Sequence, residues 1–119
     1  MAWSFSSDKA VYLQISERIT KAVLSGKYAP GEQIPTVRQL ALEAAVNPNT
    51  VQRAFSELEN QGIIISKGTV GRYVTDDSLV LERCRKAEAK ALIESFAKNA
   101  KELGVSKEEI FEILKEELI

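Results

Sequence analysis

Polar side chains recur on one face of the segment that follows Asn47-Pro48. Asn, Gln and Arg side chains can each form paired hydrogen bonds with base edges in the major groove of DNA. The polar residues of this face are Asn49, Gln52, Arg53 and Ser56. We add Thr50, which directly follows Asn49, to the candidate DNA contacts. Val51, Phe55 and Leu58 lie at helical spacing on the opposite face, so a helix here would bury one side. The pattern indicates nucleic-acid recognition, although an ordinary solvated helix face would carry similar residues.

Catalytic chemistry is poorly supported by the composition. The 119 residues include no histidine and one cysteine, Cys84. Without histidine the chain lacks the Ser-His-Asp and Cys-His systems and the commonest metal ligand. No acidic pair stands in an apolar, turn-bounded context that would shift a carboxyl pKa. We therefore predict a protein that is not an enzyme and that uses no cofactor or metal.

The bulk composition is that of a globular protein, with 45% hydrophobic and 28% charged residues. No apolar run approaches the roughly 20 residues of a membrane helix. Because Met1–Phe5 lacks the pattern of a signal peptide and the lone cysteine fits a reducing compartment, we predict a cytoplasmic protein. The net charge of −1 gives no support for nucleic-acid binding, so that hypothesis depends on where individual cations lie.

Three helices are predicted in the first half of the chain. Apolar spacing indicates a helix over residues 11–25, followed by turn residues and a short extended piece over 32–34. Thr36 opens a second helix with a capping box, in which Gln39 is the partner three residues on. The third helix runs over 48–61, where Asn is a favoured cap and Pro a tolerated first residue. Two short helices joined by a turn of three to four residues define a helix-turn-helix.

A β hairpin is predicted directly after the third helix. Residues 63–66 and 72–75 have strand composition, and the intervening residues have turn composition. A hairpin in this place is a wing. Its basic tip suits a contact with phosphate or the minor groove, although an ordinary hairpin turn is the alternative. The candidate contacts in the wing are Lys67, Gly68, Thr69 and Arg72.

Two further helices are predicted in the remainder of the chain. The first ends at Gly104, and the second begins with a capping box at Ser106. The predicted fold class is therefore mainly α with a small β wing: a winged helix-turn-helix over 1–76 and a helical segment over 77–119. The apolar residues Leu92, Phe96 and Leu103 favour dimerisation through this segment. Folding back of these helices on their own chain is the alternative.

The sequence "IPTVRQLALEAAVNPNTVQRAFSELENQGII" resembles the GntR-type winged-helix regulators. The run "VNPNTV" is similar to the small branch of that family named after YtrA. The resemblance covers about residues 10 to 75 in detail and the tail in general form. It implies a DNA-binding transcription regulator, and we predict a repressor. Because a lone winged helix contacts too few bases for tight binding, we predict a homodimer on a palindromic double-stranded DNA operator.

The resemblance also places an arginine in contact with DNA at the position of Arg38. A cation in the first turn of a helix is disfavoured by the helix dipole, which makes a purely structural role less attractive. Many family members carry arginine where this chain has Pro48 and Gln52, so Arg38 and Arg53 are the main arginine candidates.

Two other functions are compatible with the predicted fold: a winged-helix scaffold for protein interactions, and sequence-independent phosphate binding. A scaffold predicts apolar residues where Asn49, Gln52 and Arg53 stand. The tail is too short for the large ligand-binding domains of most family members, and its residues identify no small-molecule effector.

Overall fold

The computed structural model describes residues 3–69 and 71–119. Within these residues the chain forms five α-helices and one two-stranded antiparallel sheet. In chain order the elements are α1 (Val11–Leu24), α2 (Val37–Ala44), α3 (Pro48–Asn60), β1 (Ile64–Ser66), β2 (Arg72–Val74), α4 (Ser78–Glu102) and α5 (Lys107–Leu118). The predicted fold class, mainly α with a small β wing, is confirmed.

Local side-chain hydrogen bonds define where α2 and α3 begin. The Thr36 hydroxyl accepts the Gln39 N–H at 3.1 Å, and the Gln39 side chain accepts the Thr36 N–H at 2.8 Å. At α3 the Asn47 side chain accepts the Asn49 N–H at 2.8 Å, and Pro48 occupies the first helical position. These caps satisfy N–H groups that lack partners within the helix, and they confirm the predicted starts.

The turn between α2 and α3 is three residues long, 45–47. Ala45 adopts the left-handed conformation, with φ +59°, and its N–H bonds to the carbonyl of Ala41. The N–H of Val46 bonds to the same carbonyl, at 3.0 Å. An L-residue such as alanine is strained in this conformation because of its Cβ, so the tight turn has an energetic cost.

The core lies where α1, α2 and α3 meet the wing. Its fully buried larger side chains are Phe55, Ile15, Leu40, Leu58, Ile63, Ile64, Val51 and Val74. Ala54 is also fully buried, and its small side chain allows α1 and α3 to approach closely. The Ser16 hydroxyl donates to the carbonyls of Tyr12 and Ala54, at 3.0 and 3.3 Å, so this buried polar group is satisfied across the helix contact.

The wing is tied to the segment that precedes α2. Ile64 pairs with Val74 and Ser66 with Arg72 in the antiparallel register. On the other side of β2, Gln33 forms an isolated bridge with Tyr73, and the Val74 N–H bonds to the carbonyl of Glu32 at 2.8 Å. The predicted extended piece thus becomes a third backbone partner that anchors the base of the hairpin.

The chain divides into two compact units, of which the first ends at Cys84 and the second is Arg85–Ile119. Leu81 is 8% exposed and belongs to the core of the first unit. The start of α4 is therefore part of this unit, which reaches eight residues beyond the boundary predicted after residue 76. In the second unit, the Ser106 and Glu109 side chains form the predicted capping box of α5.

We predict that Ala45→Gly stabilises the protein by about 0.5–1 kcal/mol. The left-handed conformation costs an alanine roughly 1–2 kcal/mol, and the greater freedom of glycine in the unfolded chain offsets part of this gain. Urea unfolding measures the difference. Gly62→Ala is the matched control: Gly62 has φ +79° and no severe steric contact, so that change should destabilise. A destabilised Ala45→Gly variant would show that the turn is not strained.

Candidate nucleic-acid interface

The first half of α3 presents a continuous polar surface. Asn49, Gln52 and Arg53 are exposed, as the sequence predicted, whereas the candidate Thr50 is half-buried. The opposite face holds the helix in place, because its four apolar residues are fully buried: Val51, Ala54, Phe55 and Leu58. The rigid packing of one face therefore fixes the direction in which the polar side chains project.

A second exposed cation stands at the start of α2. Arg38 is the second residue of that helix and is exposed. It has no carboxylate partner among residues 3–69 and 71–119. Its charge is thus available for a ligand, while the helix N-terminus beside it also favours an anion.

Arg53 has an aromatic neighbour that the sequence pattern did not reveal. Its guanidinium carbon lies 3.9 Å from the centre of the Tyr12 ring, which belongs to α1. Tyr12 is half-buried and packs against the core. A cation over an aromatic face is attracted by the ring quadrupole. The only available signal was that both residues fall near the start of a helix, which is too weak to predict a contact.

The described tip of the wing is exposed and carries one cation. Lys67, Gly68 and Thr69 are all exposed, and Gly68 has φ +61°, which suits a glycine at a tight turn. The Lys67 ammonium lies 4.6 Å from the centre of the Tyr73 ring. The ring supports the lysine at the base of the loop and leaves its ammonium open to solvent.

Arg72 has partners within the domain. Its Nε donates to Glu59 Oε1 at 2.9 Å, and its guanidinium lies 5.2 Å from the centre of the Phe55 ring. The side chains of Arg72 and Glu59 are 24% and 32% exposed. Although the sequence placed Arg72 among the candidate DNA contacts, its geometry fits the joining of β2 to α3. Sequence reasoning missed Glu59 because an acidic residue on a helix gives no indication of a partner on a distant strand.

The second unit exposes many large apolar side chains. Leu92, Phe96 and Leu103, the predicted dimerisation residues, are 70%, 43% and 81% exposed. Further exposed apolar residues in this unit are Ile93, Phe111, Ile113, Leu118 and Ile119. The unit buries little of its apolar surface within its own chain: among the described residues 85–119, Ala100 alone is a buried apolar residue.

Three helices with a helix-turn-helix, followed by a β hairpin, define the winged helix-turn-helix class. In this class the second helix of the motif enters the major groove and its N-terminal residues contact bases. No helix in the described residues is long and apolar enough to cross a membrane. The same residues hold no cluster of acidic or cysteine side chains suited to a metal ion.

The chain belongs to the gntR family of bacterial regulatory proteins, whose family model matches residues 11–74. It is 32% identical to the HTH-type transcriptional repressor YtrA of Bacillus subtilis, over 92% of this chain and 85% of that protein. A GntR family transcriptional regulator from Listeria monocytogenes has a similar structure: the TM-score is 0.88 at 37% identity, over 94% of this chain and 98% of that one.

A structure of the AraR DNA-binding domain in complex with operator ORX1 is also similar, with a TM-score of 0.55 at 28% identity. The match covers 63% of this chain and 92% of that chain. Family membership makes this chain a DNA-binding transcription regulator and not an enzyme. The family and branch resemblance inferred from the sequence is confirmed.

We predict that Arg72→Ala lowers the free energy of unfolding by roughly 1–2 kcal/mol, because it removes the ion pair with Glu59 and the cation–π contact with Phe55. The slope of DNA affinity against salt should stay unchanged, since Arg72 would not be neutralising a phosphate. Thermal unfolding and a salt titration measure the two effects. Lys67→Ala, at an exposed lysine, is the stability control. A lower salt slope without lost stability would identify Arg72 as a phosphate contact.

Proposed function

We propose that this protein is a sequence-specific operator-binding regulator that acts as a homodimer on palindromic DNA. The single observation that carries the proposal is the outward face of α3, where Asn49, Gln52 and Arg53 project together from a rigidly packed helix. The major groove, about 12 Å wide, admits an α-helix, and these three side-chain types are those that distinguish bases there.

Two further cations suit contacts with the sugar-phosphate backbone. Arg38 at the start of α2 and Lys67 at the wing tip are exposed and have no carboxylate partner in the described chain. Phosphate contacts of this kind fix the orientation of a protein on DNA, whereas base contacts supply specificity. Gly68 and Thr69 lie beside Lys67 in the chain, so their polypeptide backbone would approach the same DNA phosphates.

The exposed face of α3 argues against a protein-interaction scaffold. Protein interfaces have cores depleted of charge and enriched in aromatic residues. The outward face of α3 instead carries amide and guanidinium groups. Sequence-independent DNA binding is the second candidate, and it differs from the proposal in one measurable property, the ratio of affinities for selected and random duplexes.

The homodimer accounts for the apolar surface of the second unit. Its exposed Leu92, Phe96 and Leu103 need a cover, and a second copy offers the same side chains by two-fold symmetry. Two linked recognition helices would read two half-sites about one helical turn or more apart, which relates protein symmetry to a palindrome. Repression is proposed as the outcome because the related YtrA is named a repressor.

Specificity is tested by selecting bound sequences from random duplexes at the physiological ionic strength of about 0.15 M. We predict that Arg53→Ala weakens binding to the selected site by roughly 1–3 kcal/mol and relaxes preference at one base pair. Arg83→Ala, which removes an exposed arginine on α4, serves as the matched control. Failure of the wild-type protein to enrich any sequence would support non-specific binding instead.

We predict that Phe96→Asp converts the dimer into a monomer, because a carboxylate would be buried at the interface. Sedimentation measures the oligomeric state. Affinity for a full palindrome should fall toward that for a half-site, a loss of about 10²–10⁴-fold. Ser95→Asp adds the same charge at the neighbouring exposed position and should remain dimeric. A Phe96→Asp variant that sediments as the wild type does would contradict dimerisation through this face.

A further inference from the structure

Arg53 and Tyr12 border one concave surface between the starts of α1 and α3. The concavity has a volume of about 350 Å³ and is lined by Val11, Tyr12, Asn49, Thr50 and Arg53. The guanidinium carbon of Arg53 stands 3.9 Å from the ring centre of Tyr12. Two candidate base-contacting residues, Asn49 and Arg53, therefore share this surface with an aromatic residue from another helix.

Contact with the ring restricts Arg53 and leaves its donors available. An arginine side chain has several rotatable bonds and loses substantial conformational freedom when a ligand fixes it. An aromatic face close to the guanidinium carbon removes part of that freedom before DNA arrives. Among residues 3–69 and 71–119 the guanidinium of Arg53 has no carboxylate or hydrogen-bonding partner. Its N–H groups are therefore free to bind acceptors.

We propose that Tyr12 is a positioning residue for sequence readout, which holds Arg53 ready to donate two hydrogen bonds to adjacent acceptors on a guanine edge. The inference rests on the proposed operator binding. Guanine O6 and N7 are the paired major-groove acceptors that suit a planar guanidinium. The aromatic ring supplies the support, so the phenolic hydroxyl is not needed.

A contact between Arg53 and phosphate would have different consequences. The loss of a phosphate contact weakens all DNA sequences alike and lowers the salt slope by about 0.9. Loss of a positioned base contact lowers affinity for the selected site and leaves both random-DNA affinity and salt slope unchanged. These readouts separate the two ligand chemistries.

Tyr12→Leu and Tyr12→Phe in the full chain provide the test. Tyr12→Leu should weaken binding to the selected site by about two- to fivefold, which is the strength of an exposed cation–π contact. Its affinity for random duplex and its salt slope should equal those of the wild type. Tyr12→Phe should retain the selected-site affinity. A loss in Tyr12→Phe, or equal losses on both DNAs, would overturn the proposal.

A double-mutant cycle separates positioning from general destabilisation, because Tyr12 also packs against the core. In the Arg53→Ala background, Tyr12→Leu should have no further effect on selected-site affinity. An equal loss in both backgrounds would mean that Tyr12 is merely structural.

Arg53→Lys tests the guanine contact that the inference requires without touching the ring, and it can overturn the inference even if Tyr12→Leu fails to fold. Lysine keeps the charge but cannot form the planar bidentate contact, so specificity should fall while the salt slope is retained. Unchanged specificity would overturn the inference alone, whereas a wild-type protein that selects no sequence would overturn it together with the proposed function.

Discussion

The packing of α3 against α1 is the constraint on which the rest of the domain depends. Ala54 and Phe55 are fully buried, and the Ser16 hydroxyl bonds to the Ala54 carbonyl across the contact. Because the buried face admits one orientation of the helix, the opposite face has one direction in which to project. The exposed Arg53 then meets Tyr12 on α1, so the helix contact that stabilises the core also arranges the surface.

Local signals explain why much of the fold could be predicted from the sequence. Thr36 with Gln39, and Asn47 with Pro48, cap helices through bonds between near neighbours in the chain. Such bonds depend on a few adjacent residues, so their sequence pattern is informative. The left-handed conformation of Ala45 could not be predicted, because alanine has no preference for it and the surrounding helices impose it.

The candidate site was predictable in its exposed residues and not in their partners. Helical periodicity identified the polar face of α3, since it depends only on spacing. The contacts of Arg53 with Tyr12 and of Arg72 with Glu59 join residues far apart in the chain. The boundary of the first unit was hard to predict for the same reason. In the sequence Leu81 resembles any other apolar residue of a long helix, and its place in the core depends on residues far away in the chain.

The bond between Arg72 and Glu59 has a consequence for transplanting specificity between relatives. Glu59 lies on the helix that carries the base-reading candidates, and Arg72 lies on the hairpin. A graft of α3 alone would carry Phe55 and Glu59 together into the recipient and leave Arg72 behind, so both α3 residues would lose their guanidinium partner on the hairpin. Both wing strands must therefore move with α3, and Tyr12 of α1 with them, if the surroundings of the recognition helix are to be kept.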